Sequence, residues 1–129
     1  MRWACGVVAA VVVVGLAGCI PQPRDEQGRL IVPVSVDFAE VSDGYLRAGG
    51  QVLGVIEDGG TCSFTFYGAG GGASRLTSSG HGGVSSTECD DVDEPIATLF
   101  PGEYELVLRY SSEDSVGESE PFPLTIPEH

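Results

Sequence analysis

LFPGEYELVLRY, residues 99–110, is the stretch of this sequence that most clearly predicts a fold class. Its Pro-Gly pair is a turn signal. After the turn, large apolar or aromatic side chains occupy every second position, at Tyr104, Leu106, Leu108 and Tyr110. Successive side chains of a β-strand point to opposite faces, so this period of two predicts a strand with one buried face.

The same period occurs through much of the chain from residue 30 onward. Turn signals separate the alternating runs, for example SDGY at residues 42–45 and GAGGGAS at residues 68–74. Gly54 interrupts the run QVLGVIE, where we expect a bulge or a close approach of another segment. IATLF at residues 96–100 is interpreted as a further short strand. These signals predict an all-β domain of seven or eight short antiparallel strands. The side chains expected to point inward are Leu30, Val32, Val34, Val36, Phe38, Cys62, Phe64, Phe66, Tyr104, Leu106, Leu108, Tyr110, Phe122, Leu124 and Ile126.

The segment around Tyr104 resembles one corner of immunoglobulin-like and fibronectin type III-like domains. In those sandwiches a Leu and a Pro-Gly turn precede a Tyr, and Leu99, Pro101 and Tyr104 match that order. The resemblance implies an immunoglobulin-like β-sandwich in which the hydroxyl of Tyr104 returns to the backbone. Trp3 is the only tryptophan and lies far outside this region, so the Cys…Trp…Cys core of antibody domains is absent. A β-barrel is the alternative architecture.

The first 19 residues have the layout of a secretory signal. Arg2 supplies a short basic segment, residues 4–17 carry no charge, and LAGC at residues 16–19 ends the run. This tetrapeptide resembles the lipobox of bacterial lipoproteins, a family in which the chain is cut before the cysteine and the cysteine sulfur is acylated. The resemblance implies a signal peptide over residues 1–18 and a lipid anchor, of the kind that carries palmitate, on Cys19.

An uncleaved transmembrane helix over Trp3–Ile20 is the alternative, because its 18 uncharged residues reach the lower limit of a membrane span. The small residues at its distal end, and the lack of a following basic cluster, favour the cleaved signal. Residues 19–29 contain two prolines and several charges and are expected to form the anchor and a flexible tether. Residues 30–129 then form the domain. We expect attachment to the cell membrane or outer membrane, on the extracytoplasmic face.

The charge of the chain limits its partners. Six arginines and 19 acidic residues give a formal net charge of −13. So acidic a surface repels nucleic-acid phosphates, and we expect no nucleic-acid partner. It also repels anionic lipid, so membrane attachment is expected through the covalent lipid at Cys19.

Two of the four cysteines are expected to form a disulfide. Cys5 leaves with the signal and Cys19 is acylated, so Cys62 and Cys89 remain. An even pair in an exported chain predicts a disulfide. A metal pair is the alternative, but the chain has no Cys-x-x-Cys motif and neither histidine lies at a ligand spacing.

ECDDVDEP, residues 88–95, is the densest acidic run and is expected to be a surface loop beside the disulfide. Clustered carboxylates can supply several of the about six to eight oxygens that surround a calcium ion. The spacing differs from that of an EF-hand loop, and an acidic loop without metal, or one that meets a basic partner, is the alternative. The candidate calcium ligands are Asp90, Asp91, Asp93 and Glu94.

Two further motifs do not predict catalysis. GAGGGA at residues 68–73 has the letters of a dinucleotide-binding loop, but the helix that would receive the pyrophosphate does not follow it. His81 lies among serines in SSGHGG, but no Gly-x-Ser-x-Gly motif is present and so glycine-rich a run does not fix a nucleophile and a base. We therefore expect no enzyme, and no cofactor other than the calcium ion considered above.

The sequence thus predicts a non-catalytic binding or accessory module of the cell envelope, with an envelope protein as its partner. The candidate binding loops are residues 68–72, 79–83 and 90–95, and Tyr45 and Tyr67 are candidate exposed aromatic residues. The alternatives are a calcium-dependent binding domain that uses the acidic loop 90–94, and a structural spacer of the envelope.

Overall fold

The computed structural model of the protein describes residues 23–129, so the predicted signal peptide over residues 1–18 and Cys19 lie outside the described residues. The described chain is all-β, which confirms the predicted class. It contains nine strands rather than seven or eight, and a short 3₁₀ helix over Ile96–Thr98. The strands are β1 (Leu30–Ile31), β2 (Val34–Ser42), β3 (Tyr45–Leu53), β4 (Thr61–Gly68), β5 (Ala73–Gly82), β6 (Ser86–Pro95), β7 (Gly102–Ser111), β8 (Ser115–Glu118) and β9 (Phe122–Ile126).

Hydrogen bonds join the strands in the order β1-β8-β7-β4-β5-β6-β3-β2, with β9 paired to β7. β1 and β8 are parallel, and the other pairs among the described residues are antiparallel. The long strand β5 has two partners: residues 73–79 pair with β4, and residues 80–82 pair with β6. The sheet curls, so that β2 packs against β7 and β9 although it shares no ladder with them.

The interior of the curled sheet is apolar. Burial of each large apolar side chain stabilises the fold by about 1.5–3 kcal/mol, and the inward positions predicted on β4 and β7 supply the centre of this core. Tyr104 and Phe122 are only partly buried. The core side chains from β4 and β7 that are at most 1% exposed are Cys62, Phe64, Phe66, Leu106, Leu108 and Tyr110.

A glycine in β3 allows the two parts of the curled sheet to approach each other. A Cβ atom at Gly50 would collide with the side chain of Leu108 and with the carbonyl oxygen of Ser35. A larger residue at this position would therefore push β3 away from β2 and β7.

The predicted turn at residues 42–45 is confirmed. Asp43 and Gly44 have φ values of 54° and 82°, the left-handed conformation that two-residue hairpin turns require. The prediction of a bulge or close approach at Gly54 is wrong, because this glycine has a φ of 86°, follows the last residue of β3, and has no atom within 4 Å of where a Cβ would lie. Register shifts lie instead within β2 and between β3 and β6.

Two other sequence predictions differ from the structure. The expected strand at residues 96–100 is wrong, because the backbone N–H of Leu99 donates to the carbonyl oxygen of Ile96 and closes the 3₁₀ helix between β6 and β7. β8 lies in SEDSVGE, a segment without clear alternation. Its pairing with β7 covers only three residue pairs, too short to leave a periodic signal.

The residues before β1 also pack on the domain. Arg24 forms an isolated antiparallel β-bridge with Leu30, and the backbone N–H of Ile31 donates to the carbonyl oxygen of Pro23 at 2.9 Å. A salt bridge of 2.8 Å joins Arg29 to Asp25 within the same turn. Residues 23–29 of the expected tether therefore form a hydrogen-bonded turn beside β1.

The strand directions give the molecule two ends. The N-terminal end is formed by residues 23–33, 53–60, 82–86 and 111–115. The opposite end is formed by residues 42–45, 67–73, 95–104 and 126–129.

Candidate functional site

Exposed apolar side chains are distributed unevenly between the two ends. Those of the opposite end are aromatic, and those of the N-terminal end are aliphatic. The aromatic ones are Tyr45, Tyr67 and Phe100, and the aliphatic ones are Ile31, Leu53, Ile56 and Val84. Large exposed aromatic residues are typical of binding surfaces, because they supply much contact area with few rotatable bonds. We call the surface formed by Tyr45, Tyr67, Phe100 and Tyr104 the aromatic end.

A cavity of 360 Å³ lies at the aromatic end, between the β4–β5 hairpin and the turn that precedes β7. Phe100 borders it and is 85% exposed. The hydroxyl of Tyr104 donates to the carbonyl oxygen of Phe100 at 2.8 Å, which holds the turn against the start of β7. The backbone N–H of Ala69 donates to the carbonyl oxygen of Glu103 at 3.1 Å, which joins the hairpin to this turn.

The glycine-rich segment at residues 68–72 forms the wall of this cavity. The backbone N–H of Gly68 donates to the carbonyl oxygen of Gly72 at 2.8 Å, and Gly71 has a φ of 94°. A Cβ atom at Gly68 would lie 3.1 Å from the ring of Tyr104. The glycines thus serve a tight hairpin and its contact with an aromatic ring.

A second cavity, of 310 Å³, adjoins the first and is bordered by Tyr67, Tyr104 and Pro123, with Glu103 and Glu105 beside them. Apolar rings with carboxylates at the edge suit a ligand that combines apolar and basic groups.

Arg109 holds Tyr67 in place on the outer face of the sheet. Its Nη1 donates to the Tyr67 hydroxyl at 3.1 Å, its Cζ lies 5.9 Å from the ring centroid, and its Nε donates to Glu118 at 2.9 Å. The hydrogen bond with Tyr67, followed by the contacts with Glu118, raises the pKa of Arg109 above its ordinary value. Arg109 therefore stays charged and orients Tyr67.

The acidic run does not form a loop. Its residues lie in β6, where Cys89 and Val92 are both buried although they are three positions apart. A bulge explains this spacing. Gly50 pairs with Cys89 and Ala48 pairs with Val92, so two residues of β6, Asp90 and Asp91, lie opposite the single residue Gly49 of β3. The predicted loop at residues 90–95 is wrong for this reason, and residues 79–82 of the other predicted loop lie in β5.

The structure does not bring the four candidate calcium ligands together. Asp90 lies 3.0 Å from Nε2 of His81, on an exposed surface, and Glu94 accepts a hydrogen bond of 2.7 Å from Thr98. Asp91 and Asp93 are exposed on β6. Within residues 23–129, no three His, Cys, Asp or Glu side chains are arranged to hold a metal ion.

The predicted disulfide between Cys62 and Cys89 is confirmed, with a Cα–Cα distance of 6.0 Å. Cys62 pairs across the ladder with Ser78, and Cys89 pairs with Gly80. The disulfide therefore joins β4 to β6 at the point where β5 passes from one to the other.

A polar cluster at the N-terminal end has no counterpart in the sequence predictions. The carboxylate of Glu57 accepts hydrogen bonds from Tyr110 at 2.7 Å, Ser115 at 2.7 Å and Ser112 at 2.8 Å. Burial disfavours the charge of Glu57, but these three hydroxyls outweigh it and lower the pKa of Glu57. Burial and the neighbouring Glu57 raise the pKa of Tyr110 to about 12. The partners lie 53 to 58 positions away from Glu57, so no local pattern marks the cluster.

Residues 23–129 contain no helix with the length and apolar character that a membrane span requires. No protein-family model matches the chain, and no curated protein does.

Proposed function

We propose that this protein is a lipid-anchored protein of the cell envelope whose domain is a non-catalytic binding or accessory module. The observation that carries the proposal is the position of the aromatic end, which lies opposite the end where the chain that follows Cys19 enters the domain. A lipid on Cys19 would hold the N-terminal end near the bilayer. The rings at the opposite end would then face partners away from the membrane.

We further propose that the curled sheet is an immunoglobulin-like sandwich. The packing of β2 against β7 and β9, and the hydrogen bond from Tyr104 to Phe100, support this assignment. One feature departs from antibody domains, in which the conserved disulfide joins strands B and F. Here the disulfide joins β4 and β6, which flank one shared strand.

The disulfide also supports export. Disulfides persist in oxidising compartments and are rare in the cytosol. Together with LAGC at residues 16–19, the Cys62–Cys89 bond favours the extracytoplasmic face of the cell membrane or outer membrane.

The partner that fits the aromatic end is a protein with an apolar or aromatic side chain flanked by Lys or Arg. The rings of Tyr67, Phe100 and Tyr104 border the cavities, Glu103 borders both of them, and Glu105 borders the second. The net charge of −13 favours encounter with a basic surface.

Site-specific crosslinking in cells tests the partner. A photo-crosslinking amino acid is placed at position 100 in the full-length protein, and at position 77 as a control, because Thr77 is exposed in the middle of β5. We expect one recurrent envelope protein to be captured from position 100 and not from position 77. The same spread of abundant neighbours from both positions would contradict a binding module and would favour a spacer.

Fatty-acid labelling tests the anchor separately. We expect Cys19→Ala to abolish palmitate incorporation and to leave the chain uncut. Cys5→Ala is the matched control, because Cys5 lies within the same apolar run, and this variant should be labelled and processed normally. Undiminished labelling of Cys19→Ala would show that the anchor assignment is wrong.

A further inference from the structure

Aliphatic side chains protrude at the end where the chain enters the domain. Leu53, Ile56 and Val84 are 39%, 58% and 98% exposed. Leu53 and Ile56 belong to the end of β3 and the loop after it, and Val84 lies at the tip of the turn between β5 and β6. We call these three side chains the aliphatic rim.

The segments that carry the aliphatic rim lie side by side. The backbone N–H of Gly82 donates to the carboxylate of Asp58 at 2.9 Å, which joins the β5–β6 turn to the loop after β3. A Cβ atom at Gly82 would lie 2.9 Å from Cγ2 of Ile56, so these two segments touch. The backbone N–H of Leu53 donates to the carbonyl oxygen of Pro33 at 2.9 Å, which places the rim beside the entering chain.

The proposed anchor leaves little distance between this surface and a bilayer. Residues 23–29 form a turn on the domain, so only residues 20–22 separate Cys19 from the folded chain. Four residue steps span at most about 14 Å. A lipid on Cys19 would hold the N-terminal end within that distance of the lipid headgroups.

The charges of this end select among lipids. Asp58, Glu113 and Asp114 are exposed there. Arg29 is paired with Asp25, and the three exposed carboxylates outnumber the remaining arginine of this end, Arg24. Anionic headgroups are therefore repelled, and zwitterionic headgroups are not.

We propose that the aliphatic rim inserts into the headgroup region of a zwitterionic bilayer and holds the domain upright, with the aromatic end directed away from the membrane. This inference rests on the proposed lipid anchor at Cys19. Small apolar insertions bind weakly by themselves, and the anchor makes them effective by keeping the surface close to the lipid.

Tryptophan fluorescence tests the insertion. Trp3 is the only tryptophan and lies in the predicted signal, so the processed chain has no tryptophan emission of its own. Val84→Trp, Ile56→Trp and Phe100→Trp are prepared as lipidated proteins in phosphatidylcholine vesicles that contain brominated lipid. We expect emission from Val84→Trp and Ile56→Trp to shift to shorter wavelength and to lose most of its intensity. Emission from Phe100→Trp, at the opposite end, should do neither.

Flotation with the vesicles separates the two hypotheses. A protein that does not float overturns both the anchor and the insertion. A protein that floats, with Val84→Trp and Ile56→Trp as bright as Phe100→Trp, leaves the anchor standing and overturns the insertion. Equal quenching of all three variants means that the domain lies flat, which also overturns the proposal.

The lipid preference has its own readout. Addition of phosphatidylglycerol to the vesicles should reduce the quenching of Val84→Trp, and salt should restore it, because salt screens the repulsion. Stronger quenching with phosphatidylglycerol would overturn the assignment to zwitterionic lipid.

Discussion

Glu57 shows how a single carboxylate ties distant segments together. It lies in the loop between β3 and β4, and its three hydroxyl donors come from β7, β8 and the turn between them. The sequence EDGGT at residues 57–61 carries a turn signal, which accounts for Gly59 and its positive φ but not for the role of the carboxylate. Contacts across more than 50 positions leave no trace in a local pattern.

We expect Glu57→Gln to lower the free energy of unfolding by about 1.5–3 kcal/mol, the contribution of a hydrogen bond to a charged group. The amide retains one oxygen acceptor and places a donor among three hydroxyls. Urea unfolding of residues 23–129 measures the change. Glu113→Gln, at an exposed position of the same end, is the matched control and should change little. Equal effects of the two substitutions would contradict the role of Glu57.

The lowered pKa of Glu57 also predicts a pH dependence. Its pKa is lower in the folded protein than its ordinary value of 4.5, so the charged form favours folding. This contribution is fully present above pH 4.5 and is lost as the pH falls through the lowered pKa. The free energy of unfolding of Glu57→Gln should therefore decline less than that of the wild type between about pH 5 and about pH 3, because the variant has no carboxylate to protonate at this position. Parallel declines would contradict the shift.

At the scale of strands, the division of β5 between β4 and β6 decides the curl of the sheet. SRLTSS at residues 74–79 and GVSSTEC at residues 83–89 carry only weak, polar strand signals, and their spacing does not show that β5 has two partners. The Cys62–Cys89 disulfide joins β4 to β6, the two partners of β5, on the core side of the sheet. Both cysteines are buried, so the cross-link is protected from solvent.

Removal of this cross-link should destabilise the domain. Cys62→Ala/Cys89→Ala opens a loop with a sequence separation of 27, and the chain-entropy model gives a loss of about 3.5 kcal/mol for a loop of that length. Denaturant unfolding of the double variant and of the chemically reduced wild type should give similar midpoints, both below that of the oxidised protein. An unchanged midpoint would contradict a stabilising role.

Strands with regular alternation and one buried face were predictable, and strands with a bulge or a very short pairing were not. β4 and β7 carry large apolar side chains at every second position, and all the predicted inward residues of these strands are buried except Tyr104, which is partly buried. The Asp43-Gly44 turn was also predictable, because few residue pairs adopt left-handed backbone twice in succession. β6 was missed over its acidic half because a bulge breaks the alternation between Cys89 and Val92. Exposure of most other side chains there made the segment resemble a loop.

The candidate site was only partly predictable. Tyr45 and Tyr67 were chosen as exposed aromatic residues, and the structure places both near one end. Phe100 was assigned to a short strand and was not chosen. Its exposure follows from the 3₁₀ helix that ends just before it, and IATLF has no cap or period that marks such a helix.

Charge is the dominant long-range term for the whole molecule. The described residues carry five of the six arginines and all 19 acidic residues, a net charge of −14. Self-repulsion of like charges opposes compaction, and salt screens it. We expect the melting temperature of residues 23–129 to rise as sodium chloride is added. A fall would show that the few ion pairs outweigh the repulsion.

The pairing of β1 with β8 has a mechanical consequence. It spans two residue pairs, Leu30 with Ser115 and Ile31 with Val116, and it is the first ladder that a pull on the proposed anchor would load. If the protein is anchored and bound as proposed, tension between membrane and partner should detach residues 23–31 while the core that the disulfide closes stays folded. Full extension of these nine residues would lengthen the connection between Cys19 and the folded domain by about 30 Å. The first step in a single-molecule pulling trace should have that size, and the domain would then reach across a gap that its folded form cannot.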